Sequence, residues 1–303
     1  MTRYQIIGES EQIKSIIELI KKVGNSNVPV LITGEKGTGR ELIARNLHYN
    51  NLYHHKKRFV AVNCASISSK LIESSLVGYN GTIFLSEIGE LESSLQVTLL
   101  RVLKEKEFEL SEKNYKFRLI SSTSHNLEKE IKWGKFREDL FYMLNVVQID
   151  VPPLMSRKDD IPLLVENFLN EFCLREEKML KISEEVISIF MKYSWKENIR
   201  ELKNVIERAV ILAGDSIITP KELPIYLFSN KPLPFEGTIE DVATQGTLAE
   251  VARKALKIAE SQRIIVALRE TMGNRKRAAD ILQVSYKTLF TKIKAYGIED
   301  IRN

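Results

Sequence analysis

Cysteine is scarce: Cys64 and Cys173 are the only two thiols in 303 residues. They stand far apart, with no second Cys or His at metal-ligand spacing, which excludes a disulfide scaffold and a zinc centre and leaves two buried thiols. No apolar run approaches the about 20 residues that a membrane helix needs. Met1 to Ser10 also lacks the apolar core of a signal peptide. The expectation is a cytoplasmic protein without a membrane partner. Internal repeats and low-complexity tracts are missing too, which excludes solenoid and fibrous architectures.

What remains is an ordinary globular composition, 44% hydrophobic and 28% charged, long enough for two or three compact units. The net charge of +5 is unevenly spread. Arg253 to Gly297 holds eleven Lys/Arg against three Asp/Glu, so the rest of the chain is slightly acidic. A basic block at one end of a near-neutral chain points to a nucleic-acid-binding module joined to something else, with a merely solvated charged face as the bland alternative.

Through the first half, short β-branched runs alternate with helical patterns: "VPVLITG", "RFVAVNC", "GTIFLSE", "FRLISSTS" and "NVVQIDV". Five such runs predict an α/β layer with a largely parallel sheet. After "VPPL" (Val151 to Leu154) the strand signal stops, and helical spacing over 160–175, 183–194 and 198–213 predicts a helical subdomain. "FSNKPLPFEGT", Phe228 to Thr238, breaks the pattern as a linker would. Beyond it, Leu248, Val251, Ala255, Ile258, Ile265 and Leu268 mark one face of a long helix, with two shorter helices after it.

"TGEKGTGRELIARNLH" follows the first strand directly. Gly34, Gly37 and Gly39 allow a tight turn whose amides converge on one phosphate, and the helix opening near Arg40 adds its positive dipole end. The signal is moderate alone, because such turns also occur for steric reasons and the usual G-x-x-x-x-G-K-[ST] is unmet at its last two places. Together with "IIGES", "VNCA", "GTIFLSEIGEL", "LQVTLLRVLKEKEFE", "GKFREDLFYMLNV", "RKDDIPLL" and "NIRELKNVIERAVIL", the loop resembles the central ATPase module of NtrC-like activators of sigma-54 RNA polymerase, within the AAA+ class. The likeness covers roughly residues 5–225. It implies an AAA+ P-loop fold with a five-stranded parallel sheet and a helical lid. The nucleotide-binding residues it implies are Ile7, Gly8, Gly34, Glu35, Lys36, Gly37, Thr38, Gly39, Arg40, Glu41 and Arg200.

The departures from the family pattern are specific. Arg40 stands where the loop lysine belongs, and a planar guanidinium is no simple replacement for an ammonium between two phosphates. Ser86 replaces the aspartate that helps hold Mg²⁺, while Glu87, the water-polarising residue by resemblance, remains. Ser124 takes the place of a sensor asparagine. Arg137 matches an arginine that reaches a neighbouring subunit, but a second such arginine is Met143. "ESSLVG", Glu73 to Gly78, runs almost directly into the third strand, without the insertion carrying the GAFTGA motif that grips sigma-54. The expectation is a degenerate module that binds ATP or ADP, with at most weak Mg²⁺ involvement, hydrolyses it poorly and does not remodel sigma-54 polymerase. A loop kept only for folding is the alternative.

"RIIVALRETMGNRKRAADILQVSYKTLFTKIKAYGI", Arg263 to Ile298, resembles the Fis-type helix-turn-helix that ends these activators. Ala278, Ala279 and Leu282 would face inward from a first helix, and Leu289 and Ile293 from a second. Ser285, Tyr286, Lys287, Thr288, Thr291 and Lys292 would face a major groove, with Arg277 and Lys294 near phosphates. The family often has glycine where Gln283 stands, implying some strain in the turn.

The predicted organisation is an AAA+ α/β subdomain over 1–155, a helical lid over 156–228, a linker over 229–246 and an all-α DNA-binding domain over 247–303. The predicted partners are double-stranded DNA and a second copy of the chain, as a homodimer or higher homo-oligomer, or another enhancer-binding protein whose ring it joins as a pseudo-subunit. An active ATPase of the sigma-54 type is the competing reading. With no sensing segment ahead of "IIGES", control is expected through expression, nucleotide or a partner.

Overall fold

The alternation of β-branched runs and helices resolves into one parallel sheet covered on both faces. A computed structural model describes residues 5–66, 80–107, 117–214, 216–228 and 274–296, with isolated positions between 256 and 271. They fall into two compact units, Met1–Pro224 and Ile225–Asn303.

In the first unit, α1 (Glu11–Gly24) precedes β1 (Val30–Thr33), α2 (Arg40–Tyr49), β2 (Arg58–Asn63) and β3 (Gly81–Ser86). Then come α3 (Ser93–Glu107), β4 (Arg118–Thr123), α4 (Leu127–Lys132), α5 (Glu138–Leu144) and β5 (Val147–Asp150). The strand order is β2-β3-β4-β1-β5, every pair parallel, so the five-stranded expectation holds.

Period-2 alternation sends neighbouring residues to opposite faces. Phe84, Ile32 and Ile120 join Ile13, Ile16, Ile43 and Leu47 of α1 and α2. Ile83, Leu85, Leu31 and Leu119 join Leu95, Leu99, Leu140 and Leu144 of α3 and α5. Central strands buried on both faces need continuous apolar runs, which is why β3 and β4 are almost wholly buried.

One buried charge is part of this frame. Arg118, fully buried at the start of β4, donates from Nη1 to the carbonyls of Gly24 (2.9 Å) and Leu47 (2.7 Å) and from Nη2 to that of Val23 (3.1 Å). These carbonyls close α1 and lie in the last turn of α2, where the helix dipoles leave negative charge. Burial lowers the Arg118 pKa to about 10, so the side chain still carries its proton at neutral pH.

Beyond β5 lie α6 (Ile161–Arg175), α7 (Glu184–Lys192) and α8 (Asn198–Leu212), close to the helical segments expected. Ser183 caps α7, accepting from Val186 N. Trp195, 1% exposed, donates from its indole nitrogen to the Phe190 carbonyl at 2.8 Å and packs edge-on against Phe190. One expectation needs correction: strand does not stop at Leu154. β6 (Lys181–Ile182) pairs in parallel with β7 (Ile217–Ile218), two residues each, too short to register as a run.

The second unit contains α9 (Arg275–Ile281) and α10 (Tyr286–Tyr296). Ala278, Ala279, Leu289 and Ile293 form a small core with Ile264, Ala267 and Leu268, and Leu282 packs against it. Glu73 to Gly78, where the insertion is expected to be absent, and the expected 229–246 linker lie outside the described residues. So does most of the long-helix stripe, of which only Leu268 is described, buried in that core.

Candidate nucleotide site and recognition helix

β1 delivers the chain into the glycine loop, and α2 begins at Arg40. Gly37 has φ 78°, and a Cβ there would lie 2.0 Å from the Glu197 carbonyl oxygen, so no side chain fits. That close approach comes from the lid. Asn198, 1% exposed and at φ 53°, donates from Nδ2 to Glu35 Oε2 and to the Lys36 carbonyl, both at 3.0 Å. Its Oδ1 accepts from Leu154 N at 2.7 Å. Arg157 adds a 2.9 Å bond from Nη2 to the Thr38 carbonyl, and Thr38 Oγ1 donates back to the Glu35 carbonyl. Lid and neighbouring backbone thus hold the loop in shape.

Arg40 does not lie open toward solvent. Its Nη2 donates to Glu87 Oε1, and both side chains are largely buried, at 10% and 14% exposure. The other carboxylate oxygen of Glu87 accepts from Ser124 N at 3.0 Å and Ser124 Oγ at 2.9 Å. Burial pushes the Glu87 carboxyl up, but hydrogen bonds from Arg40 and Ser124 and the Arg40 charge outweigh it and hold the group below the usual range. Arg40 Nη1 is buried with no hydrogen-bond partner. Nearby Cys64 is pushed up to about 12 by burial and by the charges of Glu87 and Glu90, so it is an inert thiol at neutral pH.

Three residues read separately as loop, second motif and sensor therefore meet as one hydrogen-bonded set. Others read with them stand apart. Ser86 Oγ donates to the Val62 carbonyl at 3.3 Å. Glu41 accepts from Arg45 one helical turn on. Lys36 lies 3.6 Å from Glu90. Arg200 touches the loop through its backbone, N to the Gly37 carbonyl at 3.4 Å, while its side chain is exposed beside Glu197. Arg137 forms an exposed two-pronged pair with Asp139. Met143 is partly buried against the core.

Beside the loop lies a cavity of about 240 Å³, lined among others by Ile6, Ile7, Leu42, Leu164, Phe168 and Ile199. Gly8, at φ 151°, lets the chain pass so close to Asp160 that a Cβ would sit 2.7 Å from its Oδ2. Asp160 then accepts from Glu9 N, Ser10 N and Ser10 Oγ, fixing the segment that carries Ile6 and Ile7. The sequence expectation named Ile7 and Gly8 but not Asn198, Arg157, Asp160 or the lid's Leu164, Phe168 and Ile199. Arg157, Asp160 and Leu164 lie within "RKDDIPLL" and Asn198 and Ile199 open "NIRELKNVIERAVIL", yet helical spacing there looks the same as that of any core-facing helix. Among the described residues no group of three or more His, Cys, Asp or Glu is placed to hold a metal, and no helix is long and apolar enough to cross a membrane.

In the second unit, Ser285 caps α10: its Oγ accepts from Thr288 N at 3.0 Å and lies 2.8 Å from Thr288 Oγ1. Arg277, Tyr286, Lys287, Thr288, Thr291 and Lys294 are exposed, although Thr291 Oγ1 donates to the Lys287 carbonyl. Lys292 is different. Its ammonium bonds Glu260, which also accepts from Tyr296 Oη, so it is turned toward the domain and not outward as expected. Tyr286 and Phe290, both 47% exposed, stack with ring centroids 6.5 Å apart, and the Arg275 guanidinium lies 5.8 Å from the Phe290 ring.

These elements have counterparts in known proteins. Residues 7–154 match the sigma-54 interaction domain, residues 155–237 the AAA+ ATPase lid domain and residues 255–296 the bacterial regulatory protein Fis family. The transcriptional regulatory protein ZraR of Escherichia coli K12 is 36% identical over 96% of this chain and 69% of its own length. The regulatory protein AtoC of the same organism is 37% identical over 97% of this chain and 68% of its own. The crystal structure of NtrX from Brucella abortus in complex with ATP superposes with a TM-score of 0.68 at 30% identity, over 97% of this chain and 70% of that one. A second NtrX structure, in complex with ADP, gives 0.66. By this kinship and by its fold, the chain belongs to the family of sigma-54-dependent transcriptional regulators that join an AAA+ module and its lid to a Fis-type helix-turn-helix.

Proposed function

We propose that this chain regulates transcription by binding duplex DNA through α9 and α10, and that its AAA+ module holds ATP or ADP while turning it over at close to background rate. In this reading the module is a nucleotide-responsive or structural platform for self-association and does not drive open-complex formation by sigma-54 polymerase. One observation carries it: both oxygens of the Glu87 carboxylate are already engaged, one by Arg40 and the other by Ser124. A carboxylate so held, with its basicity lowered, is a poor partner for an attacking water.

The residues present fit a nucleotide. The loop amides from Glu35 to Gly39 and the start of α2 suit phosphate oxygens, and the buried, unpartnered Arg40 Nη1 offers a donor. The apolar cavity bounded by Ile7, Leu164 and Phe168 suits a planar base. Kinship to NtrX, crystallised with ATP and with ADP, supports the same reading. The fit to Mg²⁺ is poor. Ser86 brings no charge and gives its hydroxyl to Val62, so the cation would find little to hold it.

For DNA, the exposed cations Arg277, Lys287 and Lys294 would meet phosphates or base edges, and the capped start of α10 presents Ser285, Tyr286 and Thr288 beside them. The test is titration of the full chain with ATP and ADP, hydrolysis being followed in parallel, beside transcription in vitro from a sigma-54 promoter. Nucleotide binding without turnover or transcripts is the expected result. Brisk hydrolysis, or ATP-dependent transcripts, overturns the reading.

A further inference from the structure

Arg40 is the first residue of α2, and its guanidinium already holds an anion that belongs to the protein. In a phosphate-binding loop the backbone amides cradle the first two phosphates, and the basic residue at this place reaches toward the third. Here that basic group spends one nitrogen on Glu87, in a pair about nine-tenths buried. Ser124 fastens the far side of the same carboxylate with two donors. A triphosphate would have to break this set or place its last phosphate beside a carboxylate, where like charges repel strongly in a shielded site. The usual remedy, a divalent cation between the two, finds only the neutral Ser86 hydroxyl, itself bonded to Val62. A diphosphate meets no such conflict, and Arg40 Nη1 is a buried donor that still lacks an acceptor.

We propose that the site selects nucleoside diphosphates over triphosphates and takes them without a divalent cation, the Glu87 carboxylate standing in for the third phosphate and Arg40 Nη1 donating to the second. This rests on the nucleotide reading above and narrows its ligand to one class. The module then responds to the diphosphate directly, with no need for turnover.

The experiment is calorimetric titration of the full chain with ADP and with ATP, each in EDTA and in excess Mg²⁺. ADP should bind at least about tenfold tighter than ATP in EDTA, and Mg²⁺ should change ADP affinity by less than about twofold. Glu87→Gln removes the competing charge at nearly constant volume. It should raise ATP affinity about tenfold while ADP affinity, which also reports that the variant is folded, moves less than about threefold. If that variant loses both nucleotides, Ser124→Ala, which loosens the carboxylate and leaves Arg40 intact, must narrow the same gap. ATP binding as tightly as ADP in EDTA, or a gap unchanged in the variants, overturns the selectivity and leaves the nucleotide reading standing. Binding of neither nucleotide by the unmodified chain overturns both.

Discussion

Arg118→Met should destabilise the first unit by about 3 kcal/mol, within the range for removing one partner of a buried charged set. The lowering of its pKa from 12.5 to about 10 puts the cost of burying this charge near 3 kcal/mol, at about 1.4 kcal/mol per unit. Against that stand three hydrogen bonds to carbonyls, each worth about 1.5–3 kcal/mol when the donor is charged, and two helix ends whose dipoles favour a cation. The balance favours the arginine. Methionine recovers the desolvation cost and fills much of the space, but leaves the Val23, Gly24 and Leu47 carbonyls without this donor.

The assay is urea unfolding followed by tryptophan fluorescence, because the chain's two tryptophans, Trp133 and Trp195, both lie in the first unit. For a unit of this size each kcal/mol is worth about 2–4 °C, so the melting temperature should fall by about 6–12 °C. Arg118→Lys keeps the charge but cannot span three carbonyls, and should fall between the two. A loss below about 1 kcal/mol for the methionine variant would refute the dipole-and-carbonyl account and make Arg118 a tolerated burial.

Restoring Arg40→Lys and Ser86→Asp together should improve Mg²⁺-ATP binding, measured by titration, by more than the sum of the single changes, because both groups meet one ion–phosphate unit. Glu87 has a folded pKa below its ordinary 4.5, so its contribution to stability is fully present above that value and is lost as pH falls through the lower folded value. Urea unfolding of the unmodified chain should therefore weaken with acid more steeply than that of Glu87→Gln, and parallel curves would contradict the pairing. Gln283 sits in the turn before α10 at φ 52°, so Gln283→Gly should stabilise the second unit by about 1 kcal/mol in calorimetry, the left-handed penalty less the entropy glycine adds to the unfolded chain. Lys294→Ala should flatten the salt dependence of DNA binding by about 0.9 in log–log slope, whereas Lys292→Ala should leave that slope unchanged and lower the melting temperature of its domain.

The architecture was legible because it is local. The short apolar run in "GTIFLSE", buried on both faces, and the helical spacing in "NIRELKNVIERAVIL" are consequences of which faces each segment buries, and they led to the five-stranded parallel sheet and the lid helices. β6 and β7 were not legible, since two residues cannot display a period of two. The site divided along the same line. Glycine spacing located the loop, but the residues that clamp it come from 119 to 163 positions further on, and no local pattern marks Asn198 or Arg157 as its partners. Lys292 erred the other way. Helical projection put it on the outer face of α10, yet a flexible four-carbon stem reaches back to Glu260, and only the packed domain reveals that carboxylate.

Arg40, Ser86 and Ser124 read in the sequence as separate losses, each weakening one part of a hydrolytic site. In the fold two of the three are bound together through Glu87. A buried guanidinium at position 40 needs an acceptor, and Glu87 is the carboxylate it finds. A carboxylate drawn to that arginine still has one oxygen to satisfy, and Ser124 supplies both a backbone and a side-chain donor. The set is neutral in charge and largely buried, both Glu87 oxygens are bonded, and Arg40 Nη1 is a buried donor without a partner. Such a set resists piecemeal repair, because Arg40→Lys alone removes the planar fork while Ser124 continues to hold the carboxylate. On the proposed reading the loop is rewired rather than eroded, with one buried donor left over for a ligand.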